Sequence, residues 1–159
     1  MPAIVEARTP EHLGQARSLF IEYASGLDFS LEFQGFSEEL ATLPGKYAAP
    51  GGCILLALVG AAAVGCVALR PLGADERGRL CEMKRLYVRP SHRGRGLGLD
   101  LATRIVGMGR ELGYAAMRLD TGRDMLAAVE VYRRLGFRPV ERYNHDTHPD
   151  TLFFEFGYG

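Results

Sequence analysis

The sequence has few cysteines and no excess of charge of either sign. Its three cysteines, Cys53, Cys66 and Cys81, include no CxxC pair, which argues against a disulfide framework or a zinc site and favours a reducing compartment. The 19 basic and 19 acidic residues give a formal net charge of zero. We expect no nucleic-acid partner, because proteins that bind nucleic acid usually carry a basic excess.

The N-terminus lacks the basic segment of a signal peptide, and an acidic residue follows at Glu6. A cytoplasmic location is therefore expected. The composition, 47% hydrophobic and 24% charged, is that of an ordinary globular domain, and no repeat or linker divides the chain. We expect a single domain over residues 1–159.

One uncharged run, residues 47–69, is long enough to span a bilayer. A Pro-Gly-Gly sequence lies near its start, however, and Gly60 and Gly65 interrupt its apolar part. Its two halves, 53–59 and 63–69, each have the length and the composition of a buried strand. We therefore predict the two strands of a hairpin, and no contact with a membrane.

Apolar spacing and turn residues predict the order β-α-α-β-β-β-α-β-α-β-β, a mixed α+β fold with helices on both faces of the sheet. The strands are expected at residues 3–7, 53–59, 63–69, 80–89, 116–120, 137–143 and 151–156, and the helices at 10–27, 36–43, 97–112 and 125–135. Thr9, Ser37 and Asp124 are the expected helix caps. Residues 73–78 are expected to form a polar loop.

The most informative segment holds three glycines and two arginines between a predicted strand and a predicted helix. It consists of Arg93, Gly94, Arg95, Gly96, Leu97 and Gly98. Glycine lets the backbone approach a ligand closely, and the free N–H groups of a helix N-terminus favour an anion such as pyrophosphate. The segment therefore predicts a phosphate-binding loop. A tight turn with incidental glycines is the alternative.

Two other glycine-rich loops do not fit. A dinucleotide fingerprint needs a third glycine or alanine, where this chain has Leu99 or, counted from the next glycine, Leu101. A Walker A loop ends in Gly-Lys-Ser/Thr, and the chain has no such triplet. The phosphate-binding loop thus belongs to another class.

At these residues the sequence resembles the GNAT superfamily of acetyl-CoA-dependent N-acetyltransferases. Arg93, Gly96 and Gly98 match the family signature Arg/Gln-x-x-Gly-x-Gly/Ala. Residues 81–90 resemble the family's fourth strand, and residues 128–137 resemble its second motif with the Tyr-x-x-x-Gly-Phe ending. The resemblance implies a central mixed, mostly antiparallel sheet. It also implies transfer of an acetyl group from acetyl-CoA to a primary amine of a small molecule or peptide.

The resemblance also places the cosubstrate. In the family two neighbouring strands splay apart, and the pantetheine arm of acetyl-CoA lies in the gap. Its amides are expected to pair with the main chain around Leu86 and Val88. Its pyrophosphate is expected against the backbone of Arg93, Gly94, Arg95, Gly96, Leu97 and Gly98. A bulge near Leu86 would turn backbone N–H groups toward the thioester carbonyl.

Two residues are expected to move protons. Tyr132 matches the family tyrosine near the thioester sulfur, where a phenol of pKa about 10 can protonate the leaving thiolate. An inward aromatic on an amphipathic helix is the alternative. Glu82 resembles the glutamate that some members use, through water, as general base; an acid that pairs with Lys84 or a neighbour is equally compatible. The amine is expected to attack directly, in a ternary complex. Met125 departs from the family, which often has asparagine there.

The segment His145-Asp146-x-His148-x-Asp150 contains residue types that bind metals, but it lies in a turn beside Pro149, where such residues are common for backbone reasons. No metal site is therefore expected. The resemblance puts this loop and residues 26–35 beside the acceptor. The candidate substrate contacts are His145, His148, Asp28, Glu32 and Phe33. Arg133 and Arg134 either reach the phosphates of the cosubstrate or face solvent.

Three classes of function remain: a catalytic N-acetyltransferase, an acyl-CoA-binding regulatory domain without turnover, and a structural protein with an incidental glycine loop. A homodimer is compatible with each. The distribution of charge favours an anionic ligand. Residues 77–95 hold seven basic residues and one acidic residue, a net charge of +6, and the remaining 12 basic and 18 acidic residues give −6. The acidic remainder suits a cationic amine acceptor.

Overall fold

The computed structural model describes residues 2–27, 29–32, 35–146 and 148–159, and the elements in these ranges follow the predicted order. The strands are β1 (Ala3–Glu6), β2 (Cys53–Val59), β3 (Ala62–Asp75), β4 (Gly78–Val88), β5 (Ala116–Gly122), β6 (Arg138–Pro139) and β7 (Thr151–Gly157). The helices are α1 (Pro10–Ser25), α2 (Phe36–Thr42), α3 (Leu97–Glu111) and α4 (Leu126–Leu135), with short 3-10 turns at Gly45–Tyr47 and Pro90–His92.

All the strands join one sheet in the order β1-β2-β3-β4-β5-β7-β6. Every neighbouring pair is antiparallel except β4 and β5, which are parallel. The predicted fold class, a mixed and mostly antiparallel sheet with helices on both faces, is confirmed.

The sheet is buried on both faces. Alternate residues of β2 enter separate cores: Leu55 lies in the core that includes α3 and α4, and Leu56 in the core that includes α1 and α2. The uncharged run 47–69 therefore supplies a buried hairpin, as predicted. Within the described ranges, no helix has both the length and the apolar composition needed to cross a membrane.

The hairpin of β3 and β4 is longer than predicted. Both strands continue into the segment 73–78, and only Glu76 and Arg77 form the turn. The guanidinium of Arg77 explains this, since it lies 2.7 Å from a carboxylate oxygen of Asp75 and 2.7 Å from one of Glu155 on β7. The charged residues pair with one another along the strands instead of forming a loop.

The predicted strand 137–143 is wrong over most of its length, because β6 covers only Arg138–Pro139. Proline has no N–H to donate, and β6 is the edge strand of the sheet. Beyond it, one bond from the amide of Val140 to the carbonyl of Phe153, 2.9 Å long, holds the chain against β7. The chain then leaves the sheet, and Tyr143 reaches toward β4.

Of the three predicted helix caps, one is confirmed. The hydroxyl of Thr9 accepts a hydrogen bond from the amide three residues later. Ser37 is inside α2 and does not cap it. The helix begins at Phe36, directly after Gly35, which adopts the left-handed conformation (φ 72°). Asp124 does not cap α4: Met125 precedes the helix, and the side chain of Asp124 lies back over the end of β5.

Candidate active site

Strands β4 and β5 pair over only part of their length. The parallel register runs from Leu80 and Ala116 to Glu82 and Arg118, and no described residue pair continues it. β4 nevertheless extends to Val88, while β5 pairs with β7 along all of its own length. The two strands therefore separate, as the family resemblance predicts. The edges that face the gap keep N–H and C=O groups with no strand partner.

A β-bulge in β4 lies beside this gap. Arg85 has a φ of 63°, and among the described residues it is the only non-glycine with a positive φ. Between the pairs Cys66–Tyr87 and Ala68–Lys84 the register shifts, so Arg85 and Leu86 share one position on β3. Bulges of this kind bend a strand and redirect its backbone groups. The bulge lies at the position that the sequence analysis expected, next to Leu86.

The side chain of Arg85 holds the bulge in place. Its guanidinium donates to both carboxylate oxygens of Glu39 on α2, at 2.9 and 2.8 Å. It also lies over the rings of Tyr23, at 5.9 Å, and Phe36, at 5.2 Å. Burial lowers the pKa of the guanidinium, but the hydrogen bonds to Glu39 and the nearby charges outweigh burial and raise it. Helices α1 and α2 are thus tied to the strand that borders the gap.

The glycine segment connects β4 to α3. Gly94 (φ 79°) and Gly96 (φ 80°) take left-handed conformations, and α3 begins at Leu97. The amide of Asp100 is the one that bonds to the carbonyl of Gly96, at 3.0 Å, so the preceding amides of the first turn have no acceptor in the helix. Arg93 donates to the carbonyl of Val88 at 2.7 Å, which fixes this loop to the end of β4.

A cleft of about 630 Å³ lies between these elements and is bounded by the end of α1 and the start of α4. Seven of the eight predicted cofactor-binding residues line it: Leu86, Val88, Arg93, Gly94, Gly96, Leu97 and Gly98. Arg95 is exposed and is not part of the lining. Arg134 lines the cleft and Arg133 does not, which distinguishes the two arginines that the sequence left equivalent.

A smaller pocket, of about 30 Å³, adjoins the cleft and shares Leu86 and Met125 with it. Tyr132 lines this pocket and is 6% exposed. Burial raises the pKa of its hydroxyl, and Tyr23 and the Asp120 carboxylate raise it further. Tyr132 is therefore held as a neutral phenol.

Comparison with known proteins identifies the family. Residues 17–137, which are more than half of the chain, match the acetyltransferase (GNAT) family. The chain belongs to the GNAT family. An uncharacterized N-acetyltransferase of Schizosaccharomyces pombe is 38% identical over 152 residues, which cover 95% of this chain and 91% of the relative.

Solved GNAT structures have the same fold. A putative acyl-CoA N-acyltransferase from Klebsiella pneumoniae superposes with a TM-score of 0.69 and 26% identity, over 99% of this chain and 97% of the other. A phosphinothricin acetyltransferase from Sinorhizobium meliloti, solved in complex with acetyl-CoA, superposes with a TM-score of 0.72 and 21% identity, over 99% and 89%. This GNAT chain is an acetyl-CoA-dependent N-acetyltransferase.

The cleft of this acetyltransferase fits acetyl-CoA. A Cβ added at Gly94 or Gly96 would meet no atom within 4 Å, so the backbone there is open to a ligand. The free amides at the start of α3 suit the pyrophosphate, and the edge of β4 around Leu86 and Val88, which has no strand partner among the described residues, suits the amides of the pantetheine arm. Bound acetyl-CoA supplies the thioester that is the acetyl donor.

Glu82 does not line the pocket. It is 1% exposed; Arg70 donates to its Oε1 at 2.8 Å, and the Tyr143 hydroxyl donates to its Oε2 at 2.5 Å. Burial alone raises the pKa of Glu82, but the positive charges of Lys84 and Arg70 and the bond from Tyr143 outweigh it, and the pKa is lowered. Glu82 thus forms an ion pair with Arg70, which agrees with the alternative interpretation that this acid pairs with a neighbour. Its role as general base stays a prediction.

Met125 lies where the family often has asparagine. Its side chain lines both the cleft and the smaller pocket, and its sulfur accepts a hydrogen bond from the Thr121 hydroxyl at 3.5 Å. The chain therefore offers a thioether, which is a weak acceptor, at the junction of the two cavities.

The candidate substrate contacts are only partly described. Asp28 and Phe33 lie outside the described residues. His148 packs against Phe29 with ring centroids 5.0 Å apart, which joins the two loops that were expected beside the acceptor. His145 and Glu32 are exposed and line neither the cleft nor the pocket. Among the described residues, no three His, Cys, Asp or Glu side chains are grouped as metal ligands.

The sequence analysis did not predict that residues of α1 and most of the lining residues of α4 border the cleft. Tyr23 and Leu27, at and after the end of α1, and Leu126 and Val131 of α4 all line the cleft. A hydrophobic stripe along a helix does not reveal which of its residues face a ligand and which face the core. The structure itself marks Leu126, because this residue is 74% exposed although its side chain is apolar.

Proposed function

We propose that this enzyme transfers the acetyl group of acetyl-CoA to the primary amine of a small molecule or peptide, by direct attack of the amine while both substrates are bound. One observation carries this proposal: the small pocket with Tyr132 opens beside the cleft at Leu86 and Met125. An amine in that pocket would lie next to the thioester end of a ligand that occupies the cleft.

In this proposal the protein binds and orients both substrates and moves protons. The main chain of Leu86 and Val88 holds the pantetheine arm, and the glycine segment holds the pyrophosphate. Backbone N–H groups at the bulge polarise the thioester carbonyl. Tyr132 gives its proton to the sulfur as the C–S bond breaks. Glu82 stays the sequence-based candidate for the base that acts through water.

The same proposal takes residues 1–159 as a single N-acetyltransferase domain. The 99% coverage of this chain by the Klebsiella structure supports it. A cytoplasmic location and a homodimer also stay predictions. The three cysteines are free and buried, which agrees with a reducing compartment. Cell fractionation tests the location, and sedimentation equilibrium tests the dimer.

Release of the CoA thiol, measured over a panel of primary amines, tests the proposed reaction. Tyr132→Phe is expected to lower kcat about 100-fold, because it removes the proton donor, while leaving the Kd of acetyl-CoA unchanged. Tyr158→Phe is the matched control, since the Tyr158 hydroxyl donates to the carbonyl of Val106 at 2.7 Å, outside both cavities. Unchanged turnover by Tyr132→Phe would show that this tyrosine is not the acid. Acetyl-CoA binding without thiol release from any amine would instead favour the regulatory domain.

A further inference from the structure

Two carboxylates line the small pocket beside Tyr132, and they differ in what they already bind. Asp146 is 5% exposed and has both oxygens engaged: the amide of His148 donates to Oδ1 and the Thr151 hydroxyl to Oδ2, each at 2.8 Å. Asp120 accepts from the side-chain amide of Asn144, at 2.6 Å, through Oδ2. Among the described residues, none donates to its Oδ1. Asp120 therefore keeps an oxygen available for a ligand in the pocket.

The fold places Asp120 where the strands have separated. It lies on β5 two residues beyond Arg118, the last residue that pairs with β4, and it pairs with Phe153 of β7 on the other side. Leu86, at the bulge of β4, lines the same pocket. An amine that attacks a thioester bound along Leu86 would therefore meet the Asp120 carboxylate.

Glu82 is less suited to the same task. Both of its oxygens are engaged, by Arg70 and by Tyr143, and its side chain lines neither the cleft nor the pocket. A base must come within hydrogen-bond reach of the proton that it removes, directly or through one water. Glu82 would first have to give up Tyr143, whereas Asp120 needs no rearrangement.

We propose that Asp120 binds the acceptor amine through Oδ1 and takes its proton during acetyl transfer. The proposal rests on the proposed function. The neutral amine forms a C–N bond to the acetyl carbon while the C–S bond breaks. One N–H proton passes to Asp120, and the Tyr132 proton passes to the sulfur. Asp120 then loses its proton to solvent and Tyr132 regains one, so the protons balance. A carboxylate suffices as base, because nitrogen that has bonded to an acyl carbon is far more acidic than a free ammonium.

Besides Asp146, which lines the same pocket, the groups whose charges interact with Asp120 come from four other parts of the fold. They are Tyr23 of α1, Lys84 of β4, Tyr132 of α4 and, between β6 and β7, Tyr143. The Asp120 charge raises the pKa of each tyrosine. Asp120 thus contributes to keeping Tyr132 a neutral phenol.

Asp120→Asn tests the proposal, because it removes the charge and still offers an oxygen to Asn144. We expect kcat to fall about 100-fold or more, with the Kd of acetyl-CoA within twofold of wild type. Glu130→Gln is the matched control: Glu130 is exposed on α4 and lines neither cavity, so its loss should leave kcat unchanged. Asp120→Ser, which is smaller, replaces the asparagine variant if that variant does not fold, and the same loss is expected.

Wild-type kcat in a folded Asp120 variant would overturn the assignment. So would a large loss of kcat in Glu82→Gln beside an unchanged kcat in Asp120→Asn, because that result makes Glu82 the base. A wild-type enzyme that binds acetyl-CoA but acetylates no amine overturns the proposed function itself. That outcome is measured on the wild-type enzyme alone, whereas the Asp120 assignment is tested on variants. Failure of the proposed function can therefore be distinguished from failure of the Asp120 assignment.

Discussion

Arg85 shows how one residue can shape the backbone of the site. A left-handed conformation costs a non-glycine residue roughly 1–2 kcal/mol. The buried ion pair with Glu39 and the rings of Tyr23 and Phe36 hold the residue in that conformation. The conformation of Arg85 coincides with the bulge, at which Arg85 and Leu86 share one position on β3.

Arg133 and Arg134 provide a test at the scale of single residues. They are neighbours on α4 and both are exposed, but only Arg134 lines the cleft. Arg134→Ala is expected to raise the Kd of acetyl-CoA about fivefold, since an exposed charge pair contributes up to about 1 kcal/mol. Arg133→Ala should change the Kd less than about twofold, which isothermal titration can resolve. Equal losses in the two variants would contradict this placement of the phosphates.

At the scale of elements, the start of α3 is the clearest link between sequence and function. Gly96 precedes the helix in a left-handed conformation, and a Cβ there would meet no atom within 4 Å. Gly96→Ala is therefore expected to act through the backbone, destabilising the protein by about 1–2 kcal/mol and weakening acetyl-CoA binding. Urea unfolding and isothermal titration measure the two effects.

Gly107 supplies the control for Gly96. It lies in the interior of the same helix, and a Cβ added there also meets nothing within 4 Å. Because alanine is the better helix former, Gly107→Ala should stabilise the protein by about 0.5–1 kcal/mol and leave the Kd of acetyl-CoA unchanged. If both variants bound acetyl-CoA like the wild type, the loop would not be the pyrophosphate site.

Most elements could be predicted from the sequence because their signals are local. The apolar runs of β2 and β3, the stripe of α3 and the glycine that ends α4 each lie within one element. β6 and the caps of α2 and α4 could not be predicted, because Gly35, Met125 and Pro139 act through backbone conformation and edge position.

The site was predictable only where a family motif marks it. The glycine segment and Tyr132 carry such motifs, and the structure brings them to adjoining cavities. The part of the cleft lining that α1 supplies, and the Oδ1 of Asp120 that no described residue donates to, depend on contacts between residues far apart in sequence. No spacing along the chain encodes which carboxylate oxygens are already engaged, and the proposal of Asp120 rather than Glu82 rests on that difference.

At the scale of the whole molecule, the folded structure redistributes the charge that the sequence concentrates in residues 77–95. Arg77 pairs with Glu155, Arg85 with Glu39 and Arg89 with Glu22, so three arginines of this segment are matched by acids from other elements. The positive segment therefore joins β4 to the helical layer of α1 and α2 and to β7. Under the proposed function, anion binding falls mainly to the backbone amides of the glycine segment and to Arg93 and Arg134, which line the cleft.

Because elements from both faces of the sheet border the cleft, binding of acetyl-CoA should stabilise the fold as a whole. A ligand that binds only the folded state at 100 times its Kd adds about 2.7 kcal/mol to the free energy of unfolding. For a chain of this size that corresponds to a rise in Tm of about 5–10 °C. Thermal unfolding followed by circular dichroism measures it, and Gly96→Ala should need more acetyl-CoA than Gly107→Ala for the same rise. A Tm that does not move at saturating acetyl-CoA would refute the placement of the cosubstrate in this cleft.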